Sequence, residues 1–169
     1  NYAVGESHEP GSTFKLMAMV RALEDKVIDT SDVIDTKNGI LSFYGRKVRD
    51  SKKGGYGKIS AARAFEVSSN TALVQINNDN YQDKPEKFVE GLFDMKINSP
   101  LGLPIFGEGV PKFTHPNDKV NWDGLDLPWM AFGYGISLTP LQTLTFYNAI
   151  ANNGVMVKPR FIKEVKQFD

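Results

Sequence analysis

The sequence predicts a mainly α-helical domain that carries short β-hairpins. Three observations lead there. An uninterrupted run of helix formers from Thr13 to Leu23 follows the punctuating triplet Pro10-Gly11-Ser12. Helical periodicity returns at Pro85 to Met95 and again after Thr139-Pro140. Strand-like segments are few and short, and the clearest pair, Ile40 to Tyr44 and Lys47 to Arg49, brackets a Gly45-Arg46 turn.

In order along the chain, the first helix carries Phe14, Leu16, Met17, Met19, Val20 and Leu23, which cover nearly every side of it. A helix apolar all round sits in the middle of a core, and this one is expected to end between Asp25 and Ile28. After the 40–49 hairpin, Ser51 to Gly57 reads as a basic, glycine-rich loop. Ser60 is placed to cap a short helix reaching Val67, and Ser68-Ser69-Asn70 interrupts it before helix resumes over Thr71 to Ile76. Pro85 suits the first turn of the amphipathic helix that it opens. Residues 99–128 are rich in Pro, Gly, Asn and Asp and read as a long irregular surface segment. A last helix runs from Thr139-Pro140 to about Asn152 and stops at Asn153-Gly154, with short strands expected at Val155 to Val157 and Phe161-Ile162.

Composition narrows the function. Twenty basic residues balance twenty acidic ones over 169 residues, which argues against a nucleic-acid binder. There are no cysteines, and His8 and His115 are the two histidines, so neither a disulfide framework nor a metal site is expected. No apolar run is long enough to span a bilayer and no leader is visible. The chain opens at Asn1 without a start Met, which points to a piece of a longer protein.

Ser12 and Lys15 are the candidate chemistry. Residues three apart share a helix face. A serine hydroxyl becomes a useful nucleophile when a neighbouring base takes its proton, and lysine is a base only when neutral. The positive end of a helix opposes a nearby cation by about 0.3–1 kcal/mol, while one pKa unit is about 1.4 kcal/mol. The helix end alone is therefore too weak, and burial must supply the rest. Taken alone, Ser12 as a cap and Lys15 as a solvated first-turn residue is the simpler reading. Against it, a capping box wants Glu or Gln rather than Lys three residues on, and this Ser-x-x-Lys opens an apolar helix. Ser68 and Asn70, two apart on a short loop, could face one cleft, Ser68 relaying a proton and Asn70 pairing with an amide; an ordinary turn explains them as well.

Together these residues resemble a family. Glu9-Pro10-Gly11-Ser12-Thr13-Phe14-Lys15 is similar to the active-site signature of class B penicillin-binding proteins, and Ser68-Ser69-Asn70-Thr71-Ala72 to their Ser-x-Asn motif. Gly133-Tyr134-Gly135-Ile136-Ser137-Leu138-Thr139-Pro140-Leu141-Gln142 resembles the stretch that opens a late core helix in the same family. The three occur in the family's order across essentially the whole chain. The Glu9 context looks like the septal, cell-division type.

The resemblance implies a peptidoglycan D,D-transpeptidase and a target of β-lactams, with Ser12 as nucleophile, Lys15 as base, Ser68 as proton relay and Asn70 as substrate-amide binder. It implies no metal or organic cofactor. Its implied partners are peptidoglycan stem peptides, β-lactam antibiotics and other cell-division proteins, not nucleic acid. It also implies a place at the periplasmic face of the inner membrane, through an anchor in the full-length protein. The family's Lys-Thr-Gly or Lys-Ser-Gly triplet occurs nowhere in the sequence. Residues 1–169 are accordingly expected to be a partial transpeptidase domain, the helical portion of the α+β fold shared with serine β-lactamases, lacking most of the central sheet. The oxyanion hole would then use the Ser12 N–H and a donor outside these residues, and loss of such a donor costs about a hundred- to a thousandfold in rate. Weak or absent activity of the chain alone is the expectation. A serine β-lactamase and a non-catalytic β-lactam sensor or scaffold remain as alternatives, along with an unrelated helical protein.

Among other residues, His8 is expected at the rim rather than in a Ser-His pair. Trp122, Trp129 and Tyr134 suit packing as well as a groove, and Arg49, Lys52 and Lys53 suit a solvated loop.

Overall fold

The computed structural model describes residues 1–167. Among them are six α-helices: α1 (Lys15–Glu24), α2 (Ala61–Glu66), α3 (Asn70–Tyr81), α4 (Pro85–Asp94), α5 (Asp126–Met130) and α6 (Pro140–Ala151). A 3-10 turn over Gly11–Phe14 precedes α1. Three two-stranded antiparallel sheets complete the described residues. They pair β1 (Val33–Asp35) with β4 (Lys58–Ser60), β2 (Ile40–Phe43) with β3 (Arg46–Arg49), and β5 (Lys112–Phe113) with β6 (Ile136–Ser137).

The apolar first helix is the centre of the core, as its residue pattern requires. One side buries Phe14 and Met17 with Tyr81, Phe88, Leu92 and Met130. The other buries Met19 and Ala22 with Ala61, Ala64, Leu73 and Ile76. Each large side chain buried this way contributes about 1.5–3 kcal/mol relative to exposure. So α1 is gripped from α4 on one flank and from α2 and α3 on the other. Its end at Glu24, with Asp25 as C-cap, lies at the near edge of the expected range.

Helix boundaries follow their caps. The Ser60 hydroxyl accepts from Arg63 N and opens α2. The Ser69 hydroxyl accepts from Ala72 N and opens α3, which runs to Tyr81, beyond the expected Ile76. Its polar continuation Asn77 to Asn80 carries no apolar signal, but Asn77 is buried and donates to Leu127 O at 3.0 Å. The hairpin turn is Tyr44-Gly45, both at positive φ, one residue earlier than Gly45-Arg46. That is the local geometry a two-residue hairpin turn demands.

Two expected strands are absent. Val155 to Val157 and Phe161-Ile162 adopt no strand among the described residues, and all five are exposed. Their apolar, β-branched composition favours extension, but a strand forms only where a neighbour takes up its backbone groups. Conversely, β1 with β4 and β5 with β6 carry too few residues each to be read from alternation. The irregular segment 99–128 is largely confirmed, with β5 inside it, but its last three residues, 126–128, open α5; Leu103 is buried in the irregular part and Leu127 in the helix.

Candidate active site

The serine-bearing turn is built from both ends of the described chain. Gly11 takes φ +55°, which lets the backbone bend sharply ahead of Ser12. The Thr13 hydroxyl donates to Pro10 O at 2.7 Å, and the Lys15 N–H donates to Ser12 O. Gly11 N–H donates to Gly133 O at 3.0 Å. The Glu9 carboxylate accepts from Gly135 N at 2.9 Å, and Tyr147 O–H donates to Thr13 O at 3.0 Å. His8 and Leu138 exchange backbone hydrogen bonds of 2.9 and 3.0 Å. The 133–142 stretch therefore runs alongside residues 8–13 and fixes them. It ends in a capping box, in which Thr139 Oγ1 accepts from Gln142 N while Gln142 Oε1 accepts from Thr139 N.

Because Ser12 lies in a 3-10 turn, the residue three positions on eclipses it. Lys15 thus begins directly under Ser12, while Ser12 itself is exposed. The Lys15 side chain is buried, at 2% exposure. Its Nζ donates to Ser68 O at 2.7 Å and to Ser68 Oγ at 2.9 Å. Burial lowers its pKa from 10.5 to about 8, against the opposing pull of the Asp50 charge. Burial thus supplies what the helix end alone could not. A neutral lysine amine has two N–H groups and one lone pair. With both N–H groups given to Ser68, the lone pair is left to accept a proton.

Ser68 takes φ +54°, a left-handed conformation that costs a non-glycine residue free energy. Its neighbours hold it there. Ser69 and Thr71 are fully buried, and the Asp50 carboxylate accepts from Ser69 Oγ at 3.0 Å, Thr71 N at 2.9 Å and Thr71 Oγ1 at 2.7 Å. Asn70 Nδ2 donates to Arg49 O at 2.7 Å, which leaves its side-chain carbonyl as the open hydrogen-bonding atom.

The structure brings Lys15 and Ser68 into direct contact and sets Ser12 in the turn above Lys15; Asn70 is tied to β3. His8 is half exposed, 3.9 Å from Glu6 and stacked on Tyr2, away from any Ser-His pair. Trp129 packs edge-on against Phe43 and beside Phe132, Trp122 lies against the core, and Tyr134 is partly exposed on Phe132. Arg49, Lys52 and Lys53 are exposed, with Lys52 5.3 Å from the Tyr56 ring centre. Sequence reasoning missed Asp50, which lies far from every motif and carries no spacing signal.

Comparison with known proteins agrees with the geometry. The family model described as the penicillin binding protein transpeptidase domain matches residues 1–168. The chain belongs to this family. The class B transpeptidase-domain resemblance read from its motifs is borne out. This transpeptidase-domain chain is 30% identical over 96% of its length to penicillin-binding protein PbpB of Mycolicibacterium smegmatis, covering 24% of that protein. It is 23% identical over 92% of its length to peptidoglycan D,D-transpeptidase FtsI of Escherichia coli, covering 25% of it. It superposes on the TP domain of Burkholderia pseudomallei penicillin-binding protein 3 with a TM-score of 0.79 at 23% identity, covering 94% of this chain and 45% of that one. The transpeptidase-domain chain thus spans about a quarter of the length of the curated relatives. Its six helices and short strands are part of that α+β fold.

Proposed function

We propose that the protein carrying these residues is a serine peptidoglycan D,D-transpeptidase that cross-links stem peptides and is acylated by β-lactams. The observation that carries this reading is the buried Lys15, its pKa lowered to about 8, hydrogen-bonded to Ser68 Oγ at 2.9 Å and set under the exposed Ser12. Neutral Lys15 takes the Ser12 proton as Ser12 Oγ attacks the penultimate D-Ala carbonyl of a stem peptide. The tetrahedral oxyanion collapses, the C–N bond breaks, and the proton passes from Lys15 through Ser68 to the leaving D-Ala amine. An amine of a second stem peptide then attacks the ester, gives its proton back along the same path and releases Ser12. The Asn70 side-chain carbonyl accepts from a substrate amide N–H. No metal or organic cofactor enters these steps.

The name of the Escherichia coli relative supports the reaction class, and the Glu9-Pro10-Gly11-Ser12 context supports the septal type. That type implies a membrane-anchored protein at the periplasmic face of the inner membrane, working among other cell-division proteins. Residues 1–169 are one part of its transpeptidase domain. The second oxyanion donor comes from outside them, so the chain alone acylates weakly or not at all.

Intact-mass analysis of the full-length protein after incubation with a penicillin tests the reading. A covalent adduct that disappears in Ser12→Ala is expected. An adduct that persists in that variant overturns the assignment of the nucleophile, and no adduct on a folded protein overturns the reading itself.

A further inference from the structure

We infer that Asp50 is a positioning residue for the reaction: its carboxylate ties down the turn that presents Ser68 to Lys15 and places a negative charge behind that turn. The inference rests on the reading of Lys15 as the base. Asp50 follows the last residue of β3, and its own N–H donates to Gly39 O at 2.9 Å, so the carboxylate is anchored to the rim of the hairpin. From there it accepts three hydrogen bonds from the first turn of α3, two from side chains that are fully buried. Arg49, the residue before it, takes Asn70 through its carbonyl. Ser69, Asn70 and Thr71 are therefore all clamped to two adjacent residues of one strand end. Ser68, the residue just before them, is the one held at φ +54° with its carbonyl and hydroxyl turned to Lys15. A negative charge at the start of α3 also suits the positive end of that helix.

Asp50 is more than a brace because it is the charged group acting on Lys15, and it opposes the effect of burial. The atoms in contact with Lys15 Nζ are the neutral carbonyl and hydroxyl of Ser68. Arg49, beside Asp50, is exposed. No direct ion pair joins Asp50 to Lys15 among the described residues, so the influence acts across the Ser69–Thr71 turn. Full removal of the charge would leave Lys15 neutral at lower pH; full exposure to it without burial would leave a lysine charged at every working pH.

Asp50→Asn separates the two roles, because an amide can keep the turn bonded while losing the charge. The rate of penicillin acylation of the full-length protein is measured against pH. Wild type is expected to rise through a midpoint set by Lys15. Asp50→Asn is expected to keep a measurable plateau and move that midpoint down by on the order of one pH unit. Asp50→Glu, which keeps the charge, is expected to hold the midpoint within a few tenths of a unit while lowering the plateau. An Asp50→Asn midpoint equal to wild type, with only the plateau reduced, overturns the inference and leaves Asp50 a structural brace. Should Asp50→Asn not fold, Asp50→Ser is the second neutral variant and is read the same way. Ser12→Ala, unlabelled at every pH, shows separately that the nucleophile assignment stands; its failure overturns that assignment, not the inference about charge.

Discussion

Gly133 lies flat against Gly11. A Cβ built on Gly133 would stand 2.1 Å from Gly11 O, and Gly133 sits at φ +84°. Both facts exclude any side chain there. Gly133→Ala is expected to destabilise the fold by on the order of 2–4 kcal/mol, because the clash is with backbone that cannot swing away. It should also displace the Ser12 turn, so penicillin labelling should fall more than stability does at temperatures where the variant is still folded. A thermal melt beside a labelling time course checks this.

With Lys15 as the proposed base, acylation is expected to depend on pH. With a pKa of about 8, roughly one lysine in ten is neutral at pH 7, and the rate should climb about tenfold between pH 7 and a plateau above pH 9. Lys15→Arg, charged at any working pH, should show no such limb and labelling at least a hundredfold slower. A stopped-flow acylation profile distinguishes the two.

The same lysine acts on stability with a definite sign. In the unfolded chain it keeps its ordinary value of 10.5, while in the fold it titrates at about 8. Between those values the unfolded state binds more protons, so this group makes stability rise with pH across that window. Below pH 8 the buried cation is a burden. Lys15→Met is therefore expected to raise the melting temperature by a few degrees at pH 7 while abolishing labelling, with the gain shrinking toward pH 10.5. Melting curves of both proteins at pH 7, 9 and 10 read out the difference; a constant offset would contradict it.

Two helix caps give a graded comparison. Thr139 is buried and reciprocates with Gln142, whose Nε2 also donates to Gly109 O at 2.9 Å. Ser60 caps α2 at the surface with one bond of 3.1 Å. Thr139→Ala is expected to cost about 1.5–2 kcal/mol and Ser60→Ala about 0.5–1 kcal/mol in urea unfolding. Equal losses would mean that burial of the cap does not matter here.

Much of this arrangement was legible in the residues. An apolar helix opened by Pro10-Gly11-Ser12 could only be central, and the cap at Ser60 and the first-turn proline Pro140 announced their helices. The pairing of Lys15 with Ser68 was open from the residues, with an ordinary turn as the competing reading, and the family resemblance singled it out, since no local rule joins positions so far apart. Asp50 was not legible at all: its role exists because the end of a hairpin meets the start of α3, and tertiary contact writes no spacing into a sequence. The strands expected at Val155 to Val157 and Phe161-Ile162 failed for the converse reason. Extended propensity was present, but a partner among the described residues was not.

The hydrogen bond from Gly11 to Gly133 also has a consequence in time. A ribosome makes Ser12 about 120 residues before Gly133, and closing so long a loop is an entropic step that comes after local helices form. Until then Pro10 to Thr13 has no neighbour to lean on. The Ser12 turn is therefore fixed only after Gly133 has been made, and a chain still being synthesised carries Ser12 before it carries the backbone that holds its turn.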